Sequence, residues 1–426
     1  MKATFTNAVV YTAEAVCASP FRTGDSAGGT ETVLRRKDGT ALLPGTSLAG
    51  ALRARLEERK GRDAANVLFG SQEKAGRLIV SDGVFEREDQ TIRPRLRIDG
   101  RTGTALPGGK FDLAHLETGS RFRFTVTWLG DAPDSGELDE IEALLSELNA
   151  GTVRLGAQKS NGFGAVRLET VKKRSFDLMK AEDRADWLAG NTEGAPLTLK
   201  AVPASAGDVV FTLEGQADRV LIKDSLSDYN KEKQETYTVN LKEAGRPVLP
   251  GSSVKGAVRA RAEAVAALLG LPGETAEELF GREARTGDNG KAGRVRFDEV
   301  VLDPGKKCQV HRIRIDRFTG GVIRKGLFIE EEVSGPVTLR VTASGADEAG
   351  CALLLYALRD LGLGLYNLGS GGAVGRGFLT VSKIGVRAAG GTGVLRFDGD
   401  RVCTAEDPDG LLDRWLNALT ARRDAT

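Results

Sequence analysis

Two stretches of this chain set positive charge in alternation with apolar side chains. Residues 93–101 carry Arg93, Arg95, Arg97 and Arg101 against one acid, Asp99. Residues 306–325 carry seven Lys or Arg against Asp316 alone. A strand or hairpin with one cationic face neutralises phosphates, and a nearby ring, here Phe318, stacks on a base of any sequence. Arg97, Arg101, Arg312, Arg314, Arg317 and Phe318 are therefore predicted nucleic-acid contacts. The alternative is a solvated, charged edge strand. Two glycine-rich loops, 156–164 and 369–377, each contain a cation, Lys159 and Arg376. Glycine lets main-chain N–H groups approach a phosphate closely. Neither loop has the spacing of a dinucleotide fingerprint or a P-loop, so a plain tight turn is the competing reading. Two Pro-Gly turns precede candidate helices at Ser47 and Ser253, which are read as helix caps. A helix N-terminus attracts anions, and Lys255 lies in that first turn in the second case. Arg53 and Arg55, with their counterparts Arg259 and Arg261, follow on the same helices. Ordinary capping and a solvated helix face are the alternatives there.

Composition narrows the classes. The chain has 426 residues and a formal net charge of +1, so it is neither a basic tail nor an acidic mimic of nucleic acid. Its 54 glycines are roughly twice the usual share. No apolar run approaches a membrane span, and the N-terminus alternates rather than forming a signal peptide. Cys17, Cys308, Cys351 and Cys403 are scattered with no CxxC pair, which argues against a zinc knuckle or disulfide scaffold and for a reducing cytoplasm. His115 and His311 are the sole histidines, too few for a two-histidine site in one domain.

The elements that must position these residues come in duplicate. Residues 42–57 and 248–263 are identical at ten of 16 positions, centred on Leu-Pro-Gly-[Thr/Ser]-Ser and Arg-Ala-Arg. Leu-Phe-Gly (68–70, 279–281), Ala-Gly-Arg (75–77, 292–294) and Arg-Ile-Asp-x-x-Thr-Gly (97–103, 314–320) follow in the same order. Leu155-Gly156 and Leu368-Gly369 open the glycine loops. The predicted organisation is a first domain over 1–171, a connector over 172–196, a second domain over 197–386, and a tail over 387–426. The tail holds a helix with Leu411, Leu412, Trp415 and Leu419 on one face. Each copy reads β-α-β-β-α-β, which predicts an α+β chain of two tandem ferredoxin-like, RNA-recognition-type domains.

The ordered set of motifs, found twice, resembles the RAMP superfamily, specifically the backbone subunits of type III CRISPR effector complexes. Two units in one chain resemble the fused subunits of the type III-D variants. The resemblance implies modified RNA-recognition folds with inserted thumb hairpins, near 104–110 and 321–327 here. It implies a guide (crRNA), a target single-stranded RNA and other CRISPR effector subunits as partners, with no membrane. It also implies an aspartate, in the loop before the Pro-Gly turn, that cleaves target RNA with a divalent metal, Mg or Mn. The 2′-hydroxyl is the implied nucleophile, giving a cyclic phosphate.

This chain departs from that pattern around the aspartate. Counting back from Pro44 reaches Thr30 and Glu31, with Asp25 the nearest upstream aspartate. In the second copy Asp224 and Asp228 lie in a longer loop, while Tyr237 occupies the position aligned with Glu31. Asp25, Glu31, Asp224 and Asp228 are thus the catalytic candidates, with Asp25 and Asp228 as metal ligands. Arg35, Arg36 and Lys37 lie close enough in sequence to steady a cleaved phosphate. One inactive copy, a purely structural subunit, and a metal-independent guide-processing nuclease using His311 or His115 remain alternatives.

Overall fold

A computed structural model of the protein describes residues 5–25, 32–100, 102–133, 135–202, 207–230, 235–284, 288–399 and 401–425, with backbone alone at 25, 135, 225–230 and 235. The chain forms two compact units. The first comprises Met1–Ile92, Leu113–Lys159 and Phe163–Pro203; the second comprises Arg93–Asp112, Ser160–Gly162 and Ala204–Thr426.

In the first unit the strand Arg121–Gly130 alternates strictly, burying Phe122, Phe124, Val126 and Trp128. Period-two burial of this kind requires one covered and one open face. It pairs antiparallel with the opening strand Asn7–Cys17, Phe124 opposite Ala13, and that strand pairs with the closing strand Val166–Asp177. Leu78–Val80 and Gly83–Arg87 add to the other edge. The resulting spatial order, fourth-first-third-second, is that of a ferredoxin-like sheet. Helices Gly45–Lys60 and Ser135–Asn149 cover the apolar face through Leu48, Leu52, Leu56, Ile141, Leu145 and Leu148. The second unit repeats the order with Phe378–Ala388, Asp208–Val220, Val322–Ser344 and Val295–Phe297. Gly251–Leu269 and Glu348–Gly362 are its helices. The α+β, RNA-recognition-type fold expected from the repeat is the fold observed.

The second sheet continues into the tail through Gly391–Asp398 and Arg401–Glu406. Helix Leu411–Asp424 then buries Leu411, Leu412, Trp415 and Leu419, the four residues predicted for its inner face. Burying each such side chain contributes about 1.5–3 kcal/mol, enough to hold the helix on its own domain. The four cysteines are free thiols. Among the described residues no helix is long and apolar enough to cross a membrane.

The expected caps are corrected. Both helices begin one turn earlier, at Gly45 and Gly251, with Pro44 and Pro250 in the capping position and no side-chain cap bond. Proline is tolerated there because the capping residue lies outside the helix, which makes no use of its N–H, and its fixed φ suits the extended backbone at Pro44 and Pro250. Gly45 N–H donates to Asp82 Oδ1 at 2.7 Å, so an acid already sits at that N-terminus. Ser47 is exposed and Ser253 half-buried, each inside the first turn.

The two arginines of the repeat also divide their roles. Arg55, 7% exposed, places Nε 3.1 Å from Glu147 on the facing helix. Its counterpart Arg261 places Nε 2.7 Å from Asp360, again on the facing helix. The second arginine of Arg-Ala-Arg is thus a helix-to-helix staple in both copies, not a surface cation.

Candidate nucleic-acid interface

The basic blocks fold as hairpins inserted between the second and third sheet strands. Gln90–Ile98 pairs with Ala105–Leu116 in the first copy, and Lys306–Ile315 with the first part of Val322–Ser344 in the second. Their tips share one construction. Asp99 N–H donates to Thr104 O at 2.9 Å, and Asp316 N–H donates to Gly321 O at 2.9 Å. Asp99 Oδ1 accepts from Thr102 N–H; Asp316 Oδ1 accepts from the N–H groups of Phe318 and Thr319 and from the Thr319 hydroxyl. Gly103 and Gly320 close the turns at φ 67° and 69°, where a Cβ is disfavoured. The Asp-x-x-Thr-Gly signature is therefore a turn signature.

Bonds from Thr319 and Phe318 hold the Asp316 carboxyl below its ordinary value of 3.8. A carboxyl whose pKa falls on folding stabilises the turn above its unfolded pKa, and that support is lost as pH drops through the folded one. Amide exchange at Phe318 and Thr319 is accordingly expected to stay protected at pH 5 and to lose protection in Asp316→Ala, while the sheet strands are unaffected. Equal protection in Asp316→Ala would show that the backbone alone sets the turn.

Alternation sorts the second hairpin into two faces. Ile313 lies opposite Leu327 and Ile315 opposite Val322, all exposed on one face. The other face carries Arg312 and Arg314, the latter with its guanidinium 5.9 Å from the centre of the Phe328 ring. Arg314, Arg317, Arg324 and Lys325 are exposed, and among the described residues no carboxylate lies within ion-pair distance of them. Phe318 at the tip is 98% exposed. Arg324 was not singled out in sequence; its signal was its place at the end of the same basic run.

The first hairpin differs. Its segment 93–112 belongs to the second unit, and its arginines meet acids there. Arg93, 1% exposed, pairs with Glu243 at 2.8 Å and with Glu299, while Arg97 reaches Glu283 at 3.0 Å. Arg101 lies outside the described residues.

The remaining candidates divide in the same way. Arg53 donates to Gly70 O and Asn66 Oδ1, both at 2.6 Å, fastening the end of the helix that follows. Arg259 pairs with Glu263 one turn along at 2.7 Å. Lys255 is half-buried with no acid partner among the described residues; burial, aided by Arg259, pushes its pKa down to about 8. Lys159 is exposed. Arg312 is half-buried, 3.4 Å from Glu332. Arg376 corrects the surface cation expected in the glycine loop: it is 2% exposed and held by Glu330 and Glu332. The closing glycines face their own chain as well. A Cβ on Gly164 or Gly377 would lie 2.0 or 1.9 Å from the carbonyl oxygen of Leu155 or Leu368. Both loops are pinned alike, by Ala157 N–H to Arg22 O and Ser370 N–H to Leu221 O at 2.8 Å.

Around the acid loops, Arg35 is engaged by Glu88 and Gln90, whereas Arg36 and Lys37 are exposed. Glu31 lies outside the described residues, and Asp25 and Asp228 are described by backbone alone, Asp25 in the strand Gly24–Asp25 and Asp228 in Lys223–Asn230. Asp224 is half-buried. Among the described residues no group of three or more His, Cys, Asp or Glu is arranged to hold a metal ion. His311 is exposed on the hairpin; His115 is fully buried, its ring centre 5.4 Å from that of Phe163. No chemistry at the surface can use His115 in that position.

A family profile described as the RAMP superfamily matches residues 14–167 and again 187–380. The chain belongs to the RAMP superfamily. The two matches fall on the two copies of this RAMP chain, so the duplication is one of family domains. It is similar to a curated relative from Methanocaldococcus jannaschii, the CRISPR system Cms endoribonuclease Csm3, with 27% identity over 175 residues. That alignment covers 34% of this chain and 70% of the relative. Among solved structures, this RAMP chain resembles a chain of the type III-B Cmr-beta complex bound to cognate target RNA. The likeness is 16% in identity with a TM-score of 0.32, covering 39% of this chain and 61% of that one.

Proposed function

We propose that this RAMP chain is a tandem Cas7-like backbone subunit of a type III CRISPR ribonucleoprotein. It binds guide RNA and the guide–target duplex together with other effector subunits. The observation that carries the reading is the second hairpin, an exposed strand pair with Phe318 at its tip and with Arg314, Arg317, Arg324 and Lys325 beyond ion-pair distance of every acid among the described residues. Cations held away from acids are available to phosphates, and a solvent-facing ring is available to a base. A solvated edge strand leaves the tip aromatic without a role.

We further propose that the subunit cleaves target RNA. The 2′-oxygen attacks the neighbouring phosphorus, the bond to the 5′-oxygen breaks, and the products end in a cyclic phosphate and a 5′-hydroxyl. The acids before each Pro-Gly turn, Asp25 or Glu31 in one copy and Asp224 or Asp228 in the other, are the candidates. Carboxylate oxygens suit Mg or Mn, which are commonly held by one or two carboxylates plus RNA phosphates rather than by a protein cage. That donor chemistry is the support for a metal. Bound there, it would supply charge neutralisation at the phosphate.

Binding tests the first proposal. Arg314→Ala, Arg317→Ala and Arg324→Ala combined are expected to weaken guide-RNA binding by about 10- to 100-fold and to lower the slope of log affinity against log salt by about 2. Unchanged affinity and slope would remove the hairpin from the interface.

A further inference from the structure

The root of the second hairpin holds a buried ionic network where, among the described residues, the equivalent place of the first copy holds an aromatic pair. Phe163 and Arg376 each immediately precede the closing glycine of their loop. His115 and Glu332 each immediately precede a bridging residue, Leu116 to Phe21 just past the opening strand Asn7–Cys17 and Val333 to Val220 at the end of Asp208–Val220. The aromatic pair His115–Phe163 of one copy is thus replaced by Glu332–Arg376 in the other. Arg376 Nε lies 2.5 Å from Glu332, which is 1% exposed, and its Nη1 lies 2.6 Å from Glu330. Glu330 also takes Lys223 Nζ at 2.8 Å, and Arg312 approaches Glu332 at 3.4 Å. Lys307 lies 3.7 Å from Glu331.

These partners come from separate elements: Lys223 from the arm Lys223–Asn230, Arg312 from the hairpin, and Arg376 from the closing loop. The backbone adds a second attachment of the arm at the same place. Thr238 pairs with Glu330, and buried Asn240 donates to Glu331 O at 2.6 Å while accepting from Ile222 N–H at 2.8 Å. Buried ions are costly to desolvate, and among the described residues Glu331 Oε1, Glu332 Oε2 and Arg376 Nη2 make no hydrogen bond. An aromatic pair fills the equivalent place in the first copy without that cost. What the ions add is direction, because a guanidinium fork fixes two carboxylates at once.

We propose that Glu330, Glu332, Arg376, Arg312 and Lys223 are positioning residues that fix the arm bearing Asp224 and Asp228 against the root of the second hairpin. This rests on the cleavage reading above, in which that arm supplies the second copy's acid. The network would then set the activity of one copy and not the other.

The test uses the guide-loaded complex with full-length chain and a matched target RNA. Arg376→Met, Arg376→Lys, and the first-copy pair Glu332→His with Arg376→Phe are compared with wild type. Hydrogen exchange in the strands 223–230 and 235–240 is expected to quicken about tenfold in Arg376→Met and in the pair swap, with strands 208–220 and 378–388 unchanged. Arg376→Lys keeps the charge without the fork and is expected to recover part of the protection. Cuts assigned to the second copy should fall about tenfold while those of the first persist. The pair swap restores a neutral contact already folded in the first copy, so it carries the test if Arg376→Met does not fold. Wild-type exchange of the arm in the pair swap would overturn the proposal. A wild-type complex that cuts nothing overturns the cleavage reading instead, and arm exchange then decides the network by itself.

Discussion

Target cutting by the loaded complex is expected to stop in EDTA and return with Mg or Mn. Asp25→Asn should remove one subset of cut positions and Asp228→Asn another, each by about 10²- to 10⁴-fold, the usual worth of a positioned acid–base group. Asparagine keeps the shape and loses the charge, so a large effect assigns chemistry to the carboxylate. The proximity of Asp224 gives a built-in comparison. If Asp224→Asn removes the second subset and Asp228→Asn does not, the acid is Asp224 and the arm is still the active segment. Cutting that survives EDTA but fails in His311→Ala would instead point to a metal-independent nuclease. A complex that binds matched RNA and never cuts would leave a structural subunit. Mapping the 5′-hydroxyl ends in wild type and in each variant counts the active centres and assigns each to a copy.

The sequence made much of this architecture readable because its signals are local. The spacing of Leu411, Leu412, Trp415 and Leu419 announced one helix face. The repeated order of short motifs carried the family, and the β-α-β-β-α-β order of each copy carried the ferredoxin-like fold. The hairpins were readable as cationic strands, though the role of Asp-x-x-Thr-Gly as a turn was not, because it depends on side-chain to backbone bonds.

What was not readable lies in long-range pairing. Arg55 and Arg376 look like surface cations beside a helix start and a glycine loop. Their acids, Glu147 and Glu332, are 92 and 44 residues away. The run Glu330–Glu332 looks like a solvated acidic stretch for the same reason. Its partners arrive from three elements that only the folded sheet brings together. The overall charge balance is likewise an average. Inside each unit many cations are neutralised by acids, Lys307 and Arg312 at the root of the second hairpin among them, whereas Arg314, Arg317, Arg324 and Lys325 toward its tip have no acid within ion-pair distance among the described residues.

The arginine staple makes a separable prediction. Arg55→Met is expected to destabilise the first unit by about 3 kcal/mol, near the low end for stranding one member of a buried pair. The value sits low because Arg59 still reaches Glu147 at 3.2 Å and keeps part of its charge compensated. Replacing both, Arg55→Met with Glu147→Leu, removes the stranded carboxylate and should recover most of the loss. The equivalent Arg261→Met should act alike on the second unit, since Arg359 remains 2.6 Å from Asp360. Denaturant midpoints of the full chain, resolved by exchange in each unit, measure both effects. Guide-RNA affinity of the folded Arg55→Met variant should match wild type, because the guanidinium lies between helices. A variant with wild-type stability and weakened RNA binding would return Arg55 to the interface. It would also show that the helix pair opens when RNA is bound, since a side chain so covered can reach a phosphate in no other way.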